Sequence, residues 1–234
     1  MSAPQQYTIT FRTKRDVAAH TEMFLFEKPE GFTFTPGQFA TLRLPAVAQR
    51  GDVAGAVRAF SFASAPSDDE LAFAWRQSDS AFKRAADALV EGDTIEMIAP
   101  AGHAVLPPTG SVVFLIGGIG ITPVRSILRE MRATKQRRDL TLLYSNRTPK
   151  DAPFFEEMST YSDVCKVVHT MTEAVDNWDG ETGFITADMV RRHVSACADA
   201  TYYIVGTSGF VRAMESVVAQ LGVPHEKIVC DNFG

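Results

Sequence analysis

Residues 112–123, VVFLIGGIGITP, constrain the fold of this chain more than any other stretch. A run of β-forming residues leads into clustered glycines, and a proline then opens a segment whose apolar residues recur at helical spacing. This order predicts a buried strand, a tight turn and a helix start. Glycines let a ligand approach the backbone, and free N–H groups at a helix start attract a pyrophosphate. By itself the stretch fits a plain βα turn equally well, because Pro123 replaces the third glycine of the dinucleotide fingerprint.

The two halves of the chain follow different patterns. In the first half, short segments of alternating polarity cover residues 7–12, 22–26, 39–44 and 94–98, with one helical pattern after Ser80. In the second half, candidate strands (112–116, 140–144, 166–169, 202–205) alternate with candidate helices (123–133, 152–159, 187–195, 209–221). We therefore expect an antiparallel β-barrel domain over residues 1–108, followed by an α/β parallel-sheet domain over residues 109–234. The proline-rich residues 106–110 mark the expected boundary.

Composition and charge exclude several functional classes. A net charge of −5 argues against general nucleic-acid binding. No apolar run is long enough for a membrane span, and the N-terminal residues lack the parts of a signal peptide, so we expect a cytoplasmic protein. Cys165, Cys197 and Cys230 lie far apart without a Cys-x-x-Cys pattern. We therefore expect no iron–sulfur cluster and no metal site.

Residues 58–64, RAFSFAS, precede the glycine turn on a strand-like stretch. Together, these motifs resemble the ferredoxin–NADP reductase family of flavoproteins, in which Arg-x-aromatic-Ser/Thr lies in a flavin-binding barrel and Gly-Gly-x-Gly-x-Thr-Pro opens a nucleotide domain. Further agreements are PGQF at residues 36–39, SAFK at residues 80–83, and Gly206 with Met214 in a late strand–helix turn. The resemblance runs from Tyr7 to the C-terminus and implies FAD and NAD(P)H as cofactors.

On the flavin side, the resemblance implies roles for the strand motif. Arg58 is a planar donor fork suited to a pyrophosphate, and Phe60 would form a wall for the isoalloxazine ring. Ser61 would hydrogen-bond flavin N5, the hydride-accepting atom, and Ala59 belongs to the same motif. Each residue also has a structural alternative. Arg58 would form a surface ion pair, Phe60 would be one of 16 phenylalanines that pack in the protein core, and Ser61 would be an ordinary strand residue.

The helix start at Ser80, which interrupts the strands of the barrel, is a further flavin-binding candidate. Its backbone N–H groups would hold the flavin pyrophosphate at Ser80, Ala81 and Phe82. Plain capping of the helix by the serine is the alternative, and it is compatible with the binding role.

In the second domain, the resemblance implies that Thr122 contacts the nicotinamide and that the glycines admit the pyrophosphate. The expected nucleotide-binding residues are Gly117, Gly118, Ile119, Gly120, Thr122, Pro123, Arg147, Gly206 and Thr207. Residues 206–209, GTSG, are similar to the family's Gly-Pro-Pro-Gly turn, with hydroxyl residues in place of the prolines. The tail at residues 230–234, CDNFG, is similar to the acidic-x-Phe ending of short reductases. That similarity implies that Phe233 covers the flavin and Asp231 lies near N5, whereas fraying of the chain end is the alternative.

The choice between NADH and NADPH stays open because two cues conflict. Arg147 follows the second strand of the α/β domain, where no acid is present to read a ribose, and this favours a 2′-phosphate. Residues 170–173, TMTE, lack the Ser-Arg pair that the family commonly uses for that phosphate. They look more like relatives that use NADH.

The expected reaction is hydride transfer from nicotinamide C4 to flavin N5, with Ser61, Thr122, Asp231 and Phe233 as the catalytic candidates. Electrons would then pass to a separate acceptor such as a ferredoxin, a flavodoxin or an oxygenase component. Two alternatives stay open: a reductase of free flavin or another diffusible acceptor, and a non-catalytic flavin-binding partner subunit.

Overall fold

The computed structural model, which describes residues 3–49, 51–102 and 105–232, begins with an antiparallel sheet. Within these residues the sheet has six strands: β1 (Gln5–Ala18), β2 (Thr21–Glu27), β3 (Phe39–Arg43), β4 (Val57–Ser61), β5 (Glu70–Arg76) and β6 (Thr94–Ala101). Their order is β4-β3-β6-β1-β2-β5. Just past β4, Ala63 N–H donates to Ala72 C=O at 2.8 Å, so the chain bridges the two edge strands. The sheet therefore curls toward a closed barrel, which protects its edges.

Aromatic side chains fill the interior of this barrel. Phe34 and Phe62 stack with ring centres 3.9 Å apart, and Phe24 stacks on Trp75 at 4.0 Å. Burying one such ring contributes ~1.5–3 kcal/mol, so the cluster supplies much of the apolar burial in this half. Two short helices, α1 (Pro45–Gln49) and α2 (Ala81–Asp87), interrupt the strands.

The second sheet is parallel and is built from the later half of the chain. Its strands are β7 (Val112–Gly117), β8 (Leu140–Asn146), β9 (Lys166–Met171), β10 (Glu181–Thr182), β11 (Thr201–Gly206) and β12 (Ile228–Asn232). Its helices are α3 (Ile121–Ala133), α4 (Phe155–Ser159), α5 (Ala187–His193) and α6 (Ser208–Gln220). The strand order β10-β9-β8-β7-β11-β12 reverses direction beside β7. The glycine turn therefore lies at the topological switch point, where open α/β sheets bind ligands.

These two sheets confirm the predicted fold class, an antiparallel barrel domain followed by a parallel α/β domain. The predicted division between residues 108 and 109 falls in the connection between β6 and β7 and stays a prediction. None of the helices in the described residues is long and apolar enough to cross a bilayer.

The local pattern was wrong about two helix starts. Helix α3 begins at Ile121, so Pro123 is its third residue rather than its first. The proline still fits, because N–H groups in the first turn have no intrahelical partner. Helix α4 begins at Phe155 rather than at residue 152, because Phe154 has a left-handed backbone conformation with φ +59°. Three short elements, α1, β10 and β12, have no counterpart among the predicted segments.

Gly120 permits close contact between the start of α3 and strand β11. A Cβ atom at this position would lie 2.6 Å from the Val205 carbonyl oxygen, which belongs to the backbone and cannot rotate away. This contact requires glycine for packing, in the way that the third glycine of a dinucleotide fingerprint does.

We expect Gly120→Ala to lower the free energy of unfolding by about 1–3 kcal/mol, because the added methyl forces α3 away from β11. Gly209→Ala is the matched control, since its Cβ would meet no atom within 4 Å. That control should be neutral or stabilising by up to about 1 kcal/mol, because alanine is the better helix former. Urea unfolding of both variants measures the difference, and equal effects would contradict the packing argument.

Candidate cofactor-binding site

The glycine turn between β7 and α3 has a defined backbone conformation. Gly118 has φ +54°, a conformation that favours glycine, and residues Gly118–Gly120 form a single 3₁₀ turn. Thr122 is only 3% exposed, and its hydroxyl donates to the Ile119 carbonyl at 3.3 Å. The predicted nicotinamide-contacting threonine is therefore bonded to the turn itself.

A buried tyrosine forms a hydrogen bond with this turn. The Tyr144 hydroxyl lies 3.0 Å from the Gly118 carbonyl and 3.0 Å from the Pro153 carbonyl. Burial raises the pKa of this hydroxyl well above its ordinary value, so it stays protonated and can donate. The glycine turn is thereby tied to the segment before α4.

The carboxyl ends of the neighbouring strands meet at the same edge of the sheet. Gly117 pairs with Ser145 on β8, and Gly206 pairs with Asn232 on β12. A Cβ atom at Gly117 would lie 3.0 Å from the Phe210 ring, and one at Gly206 would lie 2.7 Å from it. This ring therefore packs against both glycines, and the structure brings the two predicted glycine turns together around it.

The second of these turns leads directly into α6. The Thr207 side chain accepts a hydrogen bond from the Phe210 N–H at 3.3 Å and caps the helix. The hydroxyl that replaces the family's proline at residue 207 therefore has a structural role in this chain.

Asp231 lies on β12, opposite Val205. Burial raises the pKa of its carboxyl, although a backbone hydrogen bond from Asn232 acts in the other direction. In the structure this residue belongs to β12, which continues to Asn232. Phe233, the other predicted tail residue, lies outside the described residues.

On the flavin side, the predicted motif lies on β4, which pairs with β3. Ser61 pairs with Phe39 and is 4% exposed, whereas Ala59 pairs with Thr41 and is exposed. Phe60 is half-buried, and its ring centre is 4.6 Å from Trp75 and 5.4 Å from Phe82. The ring thus has one packed side and one accessible part, unlike the fully buried phenylalanines of the barrel.

Two cations near β4 lack an acidic partner. Arg58 donates from Nη1 to the Val57 carbonyl at 2.6 Å, and Lys83 donates from Nζ to the Arg76 carbonyl at 2.7 Å. Burial lowers the pKa of Lys83, and the nearby charge of Arg58 lowers it further. Among the described residues neither side chain forms a salt bridge with a carboxylate. An anion bound here would relieve their mutual repulsion.

The start of α2 lies in the same region. Ser80 caps this helix by accepting the Lys83 N–H at 3.3 Å, and Ala81 is half-buried beside the fully buried Phe82. The predicted helix start is therefore correct, and the structure joins it to the two unpaired cations.

Arg147 follows β8, as predicted, but it is already paired. Its Nη2 lies 2.5 Å from Asp151 Oδ1, and the same carboxylate accepts from the Thr148 hydroxyl at 2.8 Å. The Glu173 N–H donates to the Arg147 carbonyl at 3.1 Å, so the loops after β8 and β9 run side by side. Arg147, which favours NADPH, and residues 170–173, which favour NADH, therefore lie on one surface.

The flavin-side and nucleotide-side motifs meet at the contact between the two sheets. Ala63, which follows the β4 motif, belongs to one buried apolar cluster with Ile121 and Val124 of α3. No group of His, Cys, Asp or Glu in the described ranges is arranged to hold a metal ion.

Residues 114–216 match the family model described as the oxidoreductase NAD-binding domain. Over 228 residues the chain is 27% identical to Flavohemoprotein A of Dictyostelium discoideum, covering 90% of this chain and 56% of that protein. It is 29% identical over 219 residues to the reductase component of propane 2-monooxygenase of Mycolicibacterium smegmatis, covering 88% and 61%, respectively. The chain thus spans less than two thirds of each relative.

Solved structures resemble the whole described fold. A ferredoxin NADP+ reductase from Neisseria gonorrhoeae with bound FAD and NADP has a TM-score of 0.80 at 21% identity, covering 97% of this chain and 98% of that one. The FAD/NAD-binding domain of a nitric oxide dioxygenase from Vibrio cholerae has a TM-score of 0.82 at 20% identity, with the same coverage. The chain is therefore similar over its described length to FAD- and NAD(P)-binding oxidoreductases of the ferredoxin–NADP reductase type, and residues 114–216 match their NAD-binding domain.

In this reductase-like chain, the structure adds three residues that the sequence analysis did not single out for the site. Tyr144 supports the glycine turn, Phe210 packs on two glycines, and Lys83 stands beside Arg58. Lys83 belongs to the SAFK motif at residues 80–83, but the motif gave no indication that its side chain would lie near Arg58. The tyrosine and phenylalanine gave no local signal, because their partners lie on distant segments.

We expect Tyr144→Phe to lower the free energy of unfolding by about 1–3 kcal/mol, since two buried carbonyls lose their shared donor. Tyr202→Phe is the matched control: Tyr202 is also fully buried, but among the described residues its hydroxyl bonds to no carbonyl and lies beside the Cys197 thiol, a weak partner. Urea unfolding compares the two, and a larger loss at the control would refute the support by Tyr144.

Proposed function

We propose that this chain is an NAD(P)H-dependent flavoprotein oxidoreductase that uses FAD, accepts hydride from the nicotinamide and passes electrons to a separate acceptor. The observation that carries this proposal is the meeting of the β4 motif and the glycine turn at one contact between the two sheets. Neither motif alone distinguishes a cofactor site from ordinary packing, but a hydride transfer requires both on facing surfaces.

The residues near β4 fit the flavin. Arg58 and Lys83 would bind its pyrophosphate together with the backbone of Ser80, Ala81 and Phe82, since these two cations lie near each other without a carboxylate partner among the described residues. Phe60 would form a wall for the ring system, next to Ala59, and Ser61 would orient the reactive edge. Bound FAD would supply the hydride-accepting atom.

The residues at the switch point fit the nicotinamide nucleotide. Gly117, Gly118 and Ile119 would admit the pyrophosphate, while Thr122 orients the nicotinamide through the turn to which it is bonded. Gly206 and Thr207 would line the opposite side. Gly120 and Pro123 would act indirectly, by holding α3 close to the sheet. Asp231 and Phe233 would complete the pocket at the C-terminus.

We infer NADH as the preferred nucleotide. The Arg147 guanidinium is already neutralised by Asp151, and Glu173 adds a negative charge to the same surface. A 2′-phosphate placed there would meet an occupied arginine and a carboxylate, which disfavours NADPH.

A separate protein is the proposed electron acceptor. The propane 2-monooxygenase relative is a reductase component, and 3-ketosteroid-9-alpha-monooxygenase of Mycobacterium tuberculosis has a related ferredoxin reductase component, 29% identical over 214 residues. We therefore propose a ferredoxin, a flavodoxin or an oxygenase component as the partner, in the cytoplasm. Reduction of free flavin is the second candidate, and a non-catalytic flavin-binding subunit is the third.

Anaerobic titration tests these candidates. Purified protein should carry tightly bound FAD after gel filtration, and NADH should bleach its absorbance. Loss of all colour during filtration would favour the free-flavin reductase. Bound flavin that neither nucleotide reduces would instead favour the non-catalytic subunit. We expect NADH to bind at least about ten-fold more tightly than NADPH, equivalent to about 1.4 kcal/mol; the reverse order would refute the inferred preference.

We expect Arg58→Ala and Lys83→Met each to raise the dissociation constant of FAD by about 10–100-fold, because charge-assisted hydrogen bonds contribute about 1.5–3 kcal/mol. Arg43→Ala is the matched control on neighbouring β3, where the arginine is paired with Glu96 at 2.9 Å. The thermal midpoints of the flavin-free proteins should change little. If FAD affinity fell equally in the control, the assignment of the unpaired cations would be wrong.

A further inference from the structure

Arg125 is a buried cation at the contact between the two sheets. It lies on α3, one helical turn after Thr122, and is 3% exposed. Burying a guanidinium is costly unless its charge and donors are satisfied, so its partners define a specific geometry.

Those partners come from three separate segments. Arg125 Nη1 donates to the Ala63 carbonyl at 2.5 Å, and Nε donates to Glu157 Oε2 at 2.8 Å. The guanidinium carbon lies 4.6 Å from the centre of the Phe154 ring. The side chain therefore joins α3 to the flavin-side backbone after β4 and to the segment that enters α4.

The segment that enters α4 also makes backbone contacts with the flavin side. Phe154 N–H donates to Val17 C=O at 3.2 Å, and Ala19 N–H donates to Lys150 C=O at 2.8 Å. Phe154 adopts φ +59°, which is unfavourable for a side chain of this size unless its surroundings hold it. The strained residue and the buried cation thus support the same interface.

The contacts continue to the glycine turn. Pro153, which precedes the strained phenylalanine, shares the Tyr144 hydroxyl with Gly118. Arg125 is therefore connected to the turn in two ways: through the first turn of α3, and through Phe154 and Tyr144.

Arg129 provides an instructive contrast on the same helix. It also crosses to the flavin side, where it forms two hydrogen bonds to Asp68 at 2.9 and 2.7 Å, and its Nη1 lies 3.4 Å from Glu157 Oε1. Its side chain is 34% exposed, however, and it contacts a loop beyond the β4 motif. It holds the domains together without contacting the backbone next to Ser61.

We propose that Arg125 is a positioning residue for hydride transfer, which holds the glycine turn in register with the backbone that follows Ser61. This role rests on the proposed function. Reaction rates depend steeply on the alignment of the reacting atoms, and a misplacement of about 1 Å can cost about 100-fold. Loss of Arg125 would misalign the two cofactor sites without removing a group that binds either cofactor.

The test compares Arg125→Met with Arg129→Met in the FAD-loaded protein. Anaerobic rapid mixing with NADH separates the limiting rate of flavin reduction from the apparent dissociation constant of NADH. We expect Arg125→Met to lower the limiting rate by about 10–100-fold while the dissociation constant and the FAD content change by less than about three-fold. Arg129→Met should change the limiting rate by less than about three-fold. Equal losses in the two variants, or a wild-type rate in Arg125→Met, would overturn the proposal.

Arg125→Lys keeps the test decisive if the methionine variant does not fold. Lysine retains the charge beside Glu157, but a single ammonium cannot reproduce both the Ala63 and the Glu157 contacts. We expect it to fold and to reduce its flavin about ten-fold more slowly than the wild type. A wild-type rate in this variant would equally overturn the proposal.

Amide hydrogen exchange gives a readout that does not depend on activity. The N–H groups of Ala19 and Phe154 bond across the interface, so both should exchange faster in Arg125→Met than in the wild type, whereas amides within β2 should not change. Unchanged exchange at both sites would overturn the role of Arg125 at the interface. Failure of NADH and NADPH to reduce the wild-type flavin would refute the proposed function instead, so the two failures are distinguishable.

Discussion

The buried guanidinium of Arg125 joins the two sheets through directional contacts. A cation in an apolar interface is stable only while all its partners stay in place, so the Ala63 carbonyl, the Glu157 carboxylate and the Phe154 ring hold each other in one arrangement. The first helix of the nucleotide half is thereby bound to the flavin half. This contact is directional, whereas apolar packing is not.

Charge pairing distinguishes Arg58 and Lys83 from Arg43 and Arg147. Arg43 and Arg147 each have a carboxylate partner. Arg58 and Lys83, by contrast, stand close together with backbone carbonyls as their hydrogen-bond acceptors. Like charges are held together in this way at a cost, which a bound pyrophosphate would offset. The same reasoning applies to the choice between NADH and NADPH. Arg147, whose position favoured NADPH, already forms an ion pair with Asp151.

Local sequence patterns predicted the parts of the fold whose causes are local. The run before Gly117 and the cap at Ser80 were predicted correctly, because a buried strand and a helix cap depend on neighbouring residues. The start of α4 was wrong because the left-handed conformation of Phe154 is imposed by contacts with α3 and β1. Strand β12 was missed because its pairing with β11 is formed by residues distant in the chain.

The sequence by itself determined the two-sheet architecture, the glycine turn and the resemblance to flavin reductases, since periodicity and turn chemistry are properties of short segments. Only the tertiary structure decided which charges stay unpaired, that Phe210 packs on both glycine turns, and that Arg125 connects α3 to the backbone that follows β4. These features arise where side chains from segments far apart in sequence meet. Their physical basis is the cost of burying charge and the exclusion of overlapping atoms, which act through space rather than along the chain.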